Sequence, residues 1–333
     1  MATVMFSLII PIYGVEAYLD KCLQSICSQN YDKFEAILID DGSIDGCPQI
    51  CDKYVEMDPR FRVIHKQNGG IVSARQAGVA EATGDYIVCI DGDDWIHAEY
   101  LSKFEDVIKK HNPDVVCCGY TISSDENQQE ITVNNEYGFY NQTDIVNKVY
   151  PMLIQKADAT YFRPTLWAKA FRREPYQKYQ FTDSKINVGE DGACTIPVIY
   201  HAKSLFILPD CLYYYRVNNS SITKGRKAFK WDGPEIIAQY IEKCIDIEQY
   251  DFKEQLYRKI VHELFTVVMT QFYRNEKYHD IVNDIKINLD KPVYNEAINR
   301  CRFNGSVFAR MMSYSLKHRL MFPIWVLSKI KHF

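Results

Sequence analysis

The stretch Asp85-Tyr-Ile-Val-Cys-Ile-Asp-Gly-Asp-Asp-Trp95 decides how the rest of this chain is interpreted. Its apolar run, Tyr86 to Ile90, has the length and β-branched content of a buried strand. Three carboxylates, of Asp91, Asp93 and Asp94, follow directly. They would repel one another unless a cation lay among them, and a hard divalent ion such as Mg²⁺ or Mn²⁺ prefers oxygen ligands. The alternative is a polar turn in which Asp91 or Asp94 caps the next helix.

The composition is that of an ordinary globular chain. Of its 333 residues 47% are hydrophobic and 25% are charged, and the net charge of −4 argues against a general nucleic-acid binder. The 11 cysteines include no CxxC pair, which favours a reducing cytosol over a disulfide framework. The segment Met5 to Ile12 lacks a basic flank and a cleavage site, so it is predicted to be a strand and not a signal peptide.

Strand and helix patterns alternate as far as residue 119. Strands are predicted over Phe6–Ile12, Phe34–Ile39, Phe61–His65, Tyr86–Ile90 and Val115–Gly119, and helices over Glu16–Gln29, Asp45–Met57, Ile71–Ala82 and Tyr100–Lys110. Such alternation predicts a parallel sheet covered on both faces, in which ligands bind at the carboxyl ends of the strands. Asp40 and Asp41 follow the second strand and Asp91 to Asp94 the fourth, which favours a ligand site over a simple turn.

Two further segments could complete that site. Asn68-Gly69-Gly70 precedes a helix, where glycines let the backbone approach a ligand and free amides attract anions. Arg75, on the first turns of that helix, carries a guanidinium suited to a diphosphate; the alternative is an exposed arginine. Glu190 and Asp191 precede a helix predicted over Ala193–His201, where they could supply a carboxylate base or only cap the helix.

The other segments are less specific. The polar residues 120–142 predict a surface hairpin or excursion. Thr143 is a candidate cap for a helix predicted over Asp144–Gln155, and the alternation over Leu166–Phe171 predicts a strand. Tyr213 to Thr223 predicts a strand that runs into a polar loop. Lys224, Arg226 and Lys227 beyond it could close over a diphosphate or lie exposed. The chain is predicted to be helical from Trp231 onward.

The tail carries no acidic residue after Glu296. Its basic residues alternate with large apolar ones: Arg302, Arg310, Lys317, His318, Arg319, Lys329 and Lys331 with Phe308, Met311, Met312, Leu316, Leu320, Phe322, Trp325, Leu327 and Ile330. This pattern predicts an amphipathic segment on an anionic membrane surface, over residues 302–333. Packing of the apolar groups on the main domain or on a partner subunit is the alternative.

Seven motifs coincide in one order. They are Ser7-Leu-Ile-Ile-Pro-Ile-Tyr13, Asp40-Asp-Gly-Ser43 with Asp45-Gly46, Asn68-Gly-Gly70 with Ser73-Ala-Arg75, Ala82-Thr-Gly-Asp-Tyr86, Asp91-Gly-Asp-Asp94, Gly189-Glu-Asp191 and Tyr215-Arg216. With these motifs, residues 5 to 225 resemble the family 2 glycosyltransferases of bacterial capsule, exopolysaccharide and lipopolysaccharide synthesis. One departure is Gly14, where the family usually has Asn; it bears on one contact near the nucleotide.

The resemblance implies a GT-A (Rossmann-like) fold, with a mostly parallel sheet flanked by helices and a helical C-terminal extension. The implied catalytic domain spans 1–225, with a nucleotide-binding half at 1–119 and an acceptor half at 120–225, and the helical region spans 226–333. The implied reaction is an inverting transfer, dependent on Mn²⁺ or Mg²⁺, from a UDP-hexose or UDP-N-acetylhexosamine to a hydroxyl of a growing glycan. With the tail, this suggests a lipid-linked oligosaccharide acceptor at the cytoplasmic, inner face of the cell membrane; a homodimer stays open.

Site residues carry over from the resemblance by position. Asp191 would be the general base, with Glu190 beside it, and Asp93 would ligate the metal. The implied donor-binding residues are Pro11 and Tyr13 at the nucleobase, Asp41 at the uracil, Asp91 at the ribose, Arg75 at the nucleobase or diphosphate, and Asn68, Gly70, Gly92 and Arg216 nearby. Residues 120–187 and 216–231 would face the acceptor, with Trp167 a candidate stacking platform.

Two rival functions are weighed against this one. A non-catalytic GT-A module that docks in a polysaccharide assembly complex would have lost its carboxylates, but Asp91, Asp93 and Asp191 are all present. A nucleotidyltransferase would need a glycine-rich loop straight after the first strand, which residues 11–16 do not supply.

Overall fold

The computed structural model describes residues 3–124, 127–186, 188–217 and 227–330. The chain forms two compact units, one of residues 1–146 and 163–218 and the other of residues 147–162 and 219–333. The predicted boundary between residues 225 and 226 lies outside the described residues. The division of residues 1–225 into a nucleotide half and an acceptor half stays a prediction.

Ten strands of the first unit form one sheet. They are β1 (Phe6–Ile12), β2 (Phe34–Asp40), β3 (Phe61–His65), β4 (Tyr86–Cys89), β5 (Trp95–Ile96), β6 (Val115–Ser123), β7 (Gln128–Ile131), β8 (Gly138–Asn141), β9 (Lys169–Arg172) and β10 (Ser204–Arg216). Their order is β3-β2-β1-β4-β9-β6-β10-β5, with β7 beside β6 and β8 beside β10. The strands predicted over residues 6–119 and over Leu166–Phe171 are confirmed to within a few residues, whereas β10 begins at Ser204, well before the predicted Tyr213, and β5 was not predicted.

The sheet is parallel except at inserted and edge strands. β1 to β4 run parallel to one another, as β6 does to β10. β9 lies antiparallel between β4 and β6, and β5, β7 and β8 pair antiparallel with their neighbours. The predicted mostly parallel sheet is confirmed, while the insertion of β9 at its centre was not predicted.

Helices cover the sheet and form the second unit. Those of the first unit are α1 (Glu16–Cys27), α2 (Cys47–Met57), α3 (Gly70–Glu81), α4 (Tyr100–His111), the short α5 (Gln142–Asp144), α6 (Arg173–Lys178) and α7 (Glu190–His201). A π-helical turn (Ile145–Val149) and a 3₁₀ turn (Tyr150–Met152) follow α5. The second unit adds α8 (Gly233–Cys244), α9 (Phe252–Gln271), α10 (Tyr278–Leu289), α11 (Pro292–Arg300), α12 (Val307–Lys317) and α13 (Met321–Ile330), which confirms the helical C-terminal extension.

Alternate residues of β1 pack against helices on opposite faces of the sheet. Leu8 and Ile10 belong to the core cluster that includes Leu19 of α1 and Cys51 of α2. On the other face a Cβ at Gly78 of α3 would lie 2.8 Å from Ile9, so the glycine lets this helix approach closely. Every residue of β1 is accordingly buried, as expected of a central parallel strand. All 11 cysteines are free thiols, and the reducing compartment that their spacing favours stays a prediction.

The helix predicted over Asp144–Gln155 is wrong in both its cap and its length. Asn141, and not Thr143, is the N-cap, because its side chain accepts from the Asp144 amide while the Asp144 carboxylate accepts from the Asn141 amide. Regular α-helix ends at Asp144, and Pro151 stands in the 3₁₀ turn, where it cannot donate a helical hydrogen bond. A strong capping box therefore starts a segment that does not continue as an α-helix.

A buried glutamine fixes this segment in the second unit. Gln255 on α9 is 0% exposed. Its Oε1 accepts from the amides of Ile154 (3.0 Å) and Gln155 (3.2 Å), and its Nε2 donates to the Tyr150 carbonyl (2.8 Å) and to Asp251 (2.7 Å). Every donor and acceptor site of the amide is thus used, which is what burial of a polar side chain requires.

The last two helices bury only some of their apolar residues. Ala309, Met312, Leu316, Met321 and Ile324 are buried, whereas Val307, Phe308, Met311, Tyr314, Leu320, Phe322 and Ile330 are exposed. Packing against the second unit therefore accounts for the buried apolar residues of the tail, and the other apolar residues are exposed to solvent. Within the ranges that the structure describes, no helix is both long and apolar enough to span a bilayer.

We predict that position 84 must be glycine, because the backbone at the start of β1 lies too close to leave room for a Cβ atom. A Cβ at this position would lie 2.7 Å from the Ser7 nitrogen and 2.8 Å from the Met5 oxygen, both backbone atoms that cannot move freely. We expect Gly84→Ala to lower the free energy of unfolding by about 3 kcal/mol, the upper end for overpacking, as measured by urea denaturation. Gly14→Ala is the control: it has a φ of +65° but nothing within 4 Å, so about 1 kcal/mol is expected. A loss for Gly84→Ala no larger than for Gly14→Ala would contradict the prediction.

Candidate active site

The acidic motif after β4 is anchored to β10 by its last residue. Asp94 is 1% exposed; its Oδ2 accepts from the Tyr213 hydroxyl at 2.7 Å and its Oδ1 from the Arg216 amide at 2.8 Å. Burial raises the pKa of Asp94 well above its ordinary value, and the carboxylates of Asp91 and Asp93 raise it further. The next helix, α4, has Glu99 at its N-cap, so the alternative that Asp91 or Asp94 caps it is wrong.

Arg75 joins this motif to the acidic pair of α7. Its Nη2 lies 3.1 Å from Asp91 Oδ1, and its Nη1 lies 2.6 Å from Asp191 Oδ1 and 3.3 Å from Glu190 Oε1. The Arg75 side chain is only 6% exposed, so the alternative of an exposed arginine is wrong. One guanidinium is thus shared by three carboxylates.

The acidic pair lies inside α7, not before it. The helix begins at Glu190, three residues earlier than predicted, because Gly189 takes up the left-handed backbone (φ +86°) that turns the chain into it. Glu190 and Asp191 then occupy the first turn, where the helix dipole favours negative charge. Capping and function are therefore compatible at this position.

The shared cation does not neutralise the cluster. Burial raises the pKa of Asp91 to about 6, with Arg75 opposing the rise and Asp191 and Asp93 adding to it. Burial likewise raises the pKa of Glu190 to about 7, and the Asp191 charge adds to that rise. An excess of negative charge among oxygen ligands suits a hard divalent cation. Across the described residues, however, no three His, Cys, Asp or Glu side chains form a ready-made metal cluster.

Asp41 braces the loop that begins α3. Its Oδ1 accepts from the Gly69 amide (3.0 Å) and from Lys66 Nζ (2.5 Å), and its Oδ2 accepts from the Gly70 amide (2.8 Å). A Cβ at Gly42 would lie 2.8 Å from the Asn68 nitrogen, so the two loops touch through backbone there. The motif after β2 therefore shapes the Asn68–Gly70 loop, while the contact of Asp41 with uracil stays a prediction.

Pro11, Tyr13 and Gly92 lie around the end of β1. Pro11 is buried as the penultimate residue of that strand, and Tyr13 just beyond it is 54% exposed. A Cβ at Gly92 would lie 3.2 Å from the Pro11 oxygen, so the acidic motif passes directly beside that residue. The structure therefore brings these three positions together at one strand end, and their donor contacts stay predictions.

Arg216 is held against the acidic motif by aromatic rings that sequence analysis did not single out. Its Nε donates to the Asp93 carbonyl at 2.7 Å, and its guanidinium lies 4.7 Å from the Trp95 ring centre and 4.8 Å from that of Tyr18. Trp95 in turn stacks on Tyr214, with ring centres 5.2 Å apart. The position of Trp95 immediately after Asp94 was the available signal.

Two predictions about the acceptor side have different outcomes. Trp167 is 7% exposed and stacks on Tyr213, with ring centres 4.9 Å apart, so the prediction of an acceptor platform is wrong: its ring is part of the core. Of the polar loop predicted after Tyr215, residues 218–226, with Lys224 and Arg226, lie outside the described residues, and Lys227 just beyond them is exposed.

Comparisons with known proteins identify the family of the chain. The family model described as glycosyl transferase family 2 matches residues 7–179. The uncharacterized glycosyltransferase EpsJ of Bacillus subtilis is 29% identical over 221 residues, which cover 66% of this chain and 63% of EpsJ. Glycosyltransferase GlyA of Streptococcus pneumoniae is 28% identical over 222 residues, 66% of this chain and 31% of GlyA. The chain thus spans less than two thirds of either relative.

Solved structures share the fold along nearly the whole chain. S. aureus TarS 1–349 in complex with UDP has a TM-score of 0.65 at 18% identity, covering 98% of this chain and 90% of that structure. The mannosyltransferase PcManGT of Pyrobaculum calidifontis, in complex with GDP-Man and Mn²⁺, has a TM-score of 0.53 and covers 98% and 88%. These likenesses confirm the predicted GT-A fold. Because the family model extends from β1 through β9, across the acidic motif and Arg75, the chain belongs to glycosyl transferase family 2.

Proposed function

We propose that this chain is an inverting, metal-dependent glycosyltransferase that moves a sugar from a nucleotide-sugar donor to a hydroxyl of a growing glycan. The observation that carries the proposal is the meeting of Asp91, Arg75 and Asp191 within hydrogen-bond distance at one site. Membership of family 2 supports the reaction class. The fold shared with TarS, solved with UDP and with UDP-GlcNAc, supports a UDP-hexose or UDP-N-acetylhexosamine donor.

The donor is proposed to bind along the ends of β1, β2 and β4. Pro11 and Tyr13 would face the nucleobase beside Asp41, whose brace on Gly69 and Gly70 keeps the neighbouring loop in place. Asp91 would hold the ribose. Asn68, Gly70, Gly92 and Arg216 complete the proposed donor site, because they line the same strand ends and include backbone that can approach a diphosphate closely.

Mn²⁺ or Mg²⁺ fits the chemistry of this site. Arg75 supplies one positive charge to the three carboxylates of Asp91, Glu190 and Asp191, and a hard divalent ion prefers such carboxylate oxygens as ligands. Asp93 would hold the ion, with further ligands from the donor diphosphate. When bound, the ion would offset the charge that develops on the departing nucleoside diphosphate.

The acceptor hydroxyl is proposed to lose its proton to Asp191. A hydroxyl is a poor nucleophile, and a carboxylate within hydrogen-bond reach can take its proton as attack proceeds. Asp191 is fixed at two points, since Arg75 donates to its Oδ1 and the Leu166 amide to its Oδ2 at 3.3 Å. Inversion requires attack opposite the leaving group, so base and diphosphate belong on opposite sides of the anomeric carbon.

Release of nucleotide from the donor tests the metal assignment. We expect Mn²⁺-dependent hydrolysis of one donor in a panel of UDP-, GDP- and dTDP-sugars. Asp93→Ala should reduce it on the order of 100-fold or more, because charge on the leaving group is no longer offset. Asp106→Ala, an exposed aspartate of α4, is the matched control and should leave the rate unchanged. Metal-independent release, or full activity of Asp93→Ala, would contradict the assignment. Silence across the panel without a donor-induced thermal shift would favour the non-catalytic docking module.

Substitution of the proposed base tests the acceptor side separately. Asp191→Asn keeps an oxygen for Arg75 but cannot accept the hydroxyl proton. Transfer should therefore fall by roughly 10²–10⁴-fold while the donor-induced thermal shift persists. Glu190→Gln, the adjacent carboxylate, should cost less. Retained transfer by Asp191→Asn would contradict the assignment of Asp191 as the base, but it would leave the proposed donor site untouched.

The tail is proposed to lie on an anionic membrane surface at the inner face of the cell membrane, where a lipid-linked oligosaccharide could serve as acceptor. On α12, Val307 (70% exposed), Met311 (42%) and Tyr314 (58%) are one turn apart and face solvent. Arg310 and Lys317 are exposed on the same helix. An apolar face flanked by cations, without acidic residues, matches the chemistry of anionic headgroups over acyl chains.

Vesicle binding tests this surface. At about 1 kcal/mol per cation, Arg310→Gln with Lys317→Gln should weaken co-sedimentation with phosphatidylglycerol-containing vesicles roughly 30-fold, and phosphatidylcholine vesicles should bind neither protein. Lys243→Gln with Lys286→Gln removes the same charge from exposed positions of the same unit and should have little effect. Equal losses in both variants, or self-association through α12 without vesicle binding, would contradict the membrane proposal.

A further inference from the structure

We propose that Arg75 is a positioning residue for Asp191 and does not itself bind the donor diphosphate. This inference rests on the proposed function, because it concerns the proposed base. Arg75 lies on α3, with its guanidinium between the motif after β4 and the first turn of α7. It therefore fixes the position of the Asp191 carboxylate relative to Asp91. Asp191 is the proposed base for the acceptor, and Asp91 is a proposed donor-binding residue.

The hydrogen bonds of the guanidinium argue against a donor contact. Nη1 is engaged by Asp191 and Glu190 and Nη2 by Asp91, and the whole side chain is 6% exposed. A diphosphate that captured Arg75 would leave the three partly buried carboxylates without their shared cation, next to a newly arrived anion. Like charges in such a setting repel strongly, so the exchange is unfavourable.

The arrangement instead serves what a general base needs. A guanidinium keeps its proton at every physiological pH, so it favours the ionised form of the carboxylates it contacts. Burial alone would lower the pKa of Arg75, but Asp191, Asp91 and Glu190 raise it well above its ordinary value. With the Leu166 amide on the other oxygen, the plane of the Asp191 carboxylate is defined at two points, which limits misalignment with an acceptor hydroxyl.

Charged groups reach this cluster from four elements. Arg75 comes from α3, Asp91 from the end of β4, Glu190 from α7 and the buried Lys169 from β9. Lys169 donates to the carbonyl of Thr165 at 2.8 Å. Of these, Arg75 is the cation with direct ion pairs to the acidic pair of α7.

The remaining donor of Arg75 is enclosed by protein. Its Nε is buried and has no hydrogen-bond partner among the described residues. Arg75 and Glu190 line a narrow cleft whose walls also include Leu166, Phe181 and Cys194. The buried Nε is therefore no more accessible to a donor diphosphate than the paired Nη1 and Nη2 are.

Kinetics of Arg75→Lys and Arg75→Met separate positioning from donor binding. At saturating donor we expect kcat for transfer to fall about 10-fold in Arg75→Lys and about 100-fold or more in Arg75→Met, with donor Kd changed less than threefold. The acidic limb of the kcat–pH profile should move to higher pH, because Arg75 lowers the pKa of Glu190 in the native protein. A donor Kd weakened tenfold or more with kcat retained would make Arg75 a donor ligand and overturn the proposal.

A matched arginine controls for loss of structure. Arg172 forms an ion pair with Asp114 at 3.0 Å in the same unit. Arg172→Lys should leave kcat within about twofold and the pH profile unmoved; a loss equal to that of Arg75→Lys would reduce Arg75 to a structural ion pair. If Arg75→Met fails to fold, Arg75→Met with Glu190→Gln removes one of the stranded charges and gives the same comparison against Glu190→Gln.

A readout without turnover distinguishes this inference from the proposed function. The Glu190 carboxyl, assigned by its loss in Glu190→Gln, is followed by ¹³C NMR between pH 5 and 9. Its midpoint should rise in Arg75→Met, since Arg75 lowers the pKa of Glu190 in the native protein. Absence of transfer by the native chain would defeat the proposed function alone. An unchanged Glu190 titration would defeat the Arg75 assignment alone.

Discussion

One buried cation shared by three partly buried carboxylates is the interaction on which the site depends. Arg75 pairs with Asp91, Glu190 and Asp191, which the sequence separates by up to 116 positions from the arginine. The buried guanidinium needs these partners, because an unpaired buried charge is costly. Together they hold α3, the end of β4 and the start of α7 in register. The price is residual negative charge, which leaves the site suited to a further cation.

The sheet explains how such distant groups meet. β1 and β4 are parallel neighbours, so Pro11 and Asp91 leave adjacent strands at the same edge. β10 lies further along the sheet, beyond β9 and β6, yet the Tyr213 hydroxyl and the Arg216 amide both donate to Asp94. The last carboxylate of the motif therefore joins it to β10, and the proposed donor and metal contacts fall to Asp91 and Asp93. Three similar side chains in four positions thus differ in role because their neighbours differ.

The sequence patterns predicted those features of the structure that depend on neighbouring residues. The β-branched runs and the carboxylates at their ends predicted the strands and the ligand edge, because parallel strands end on the same side. The partners of Arg75 were not predictable, since ion pairing between remote segments is decided by packing. Trp167 shows the same limit: its ring is core because Tyr213 lies parallel to it, which no spacing in the sequence reveals. The cap at Asn141 was a missed local signal, since the capping box with Asp144 was present in the sequence.

Charge is distributed unevenly along the chain, and this bears on how an acidic site could take an anionic donor. The net charge is −4, yet no acidic residue follows Glu296, so the excess negative charge belongs to the rest of the chain. A diphosphate approaching Asp91 and Asp93 would be repelled unless a cation accompanied it, and Arg75, which pairs with Asp91, is also paired with Asp191. The proposed metal dependence would follow from the proposed role of Arg75, because a guanidinium that holds the proposed base is not free to offset the charge on the leaving group.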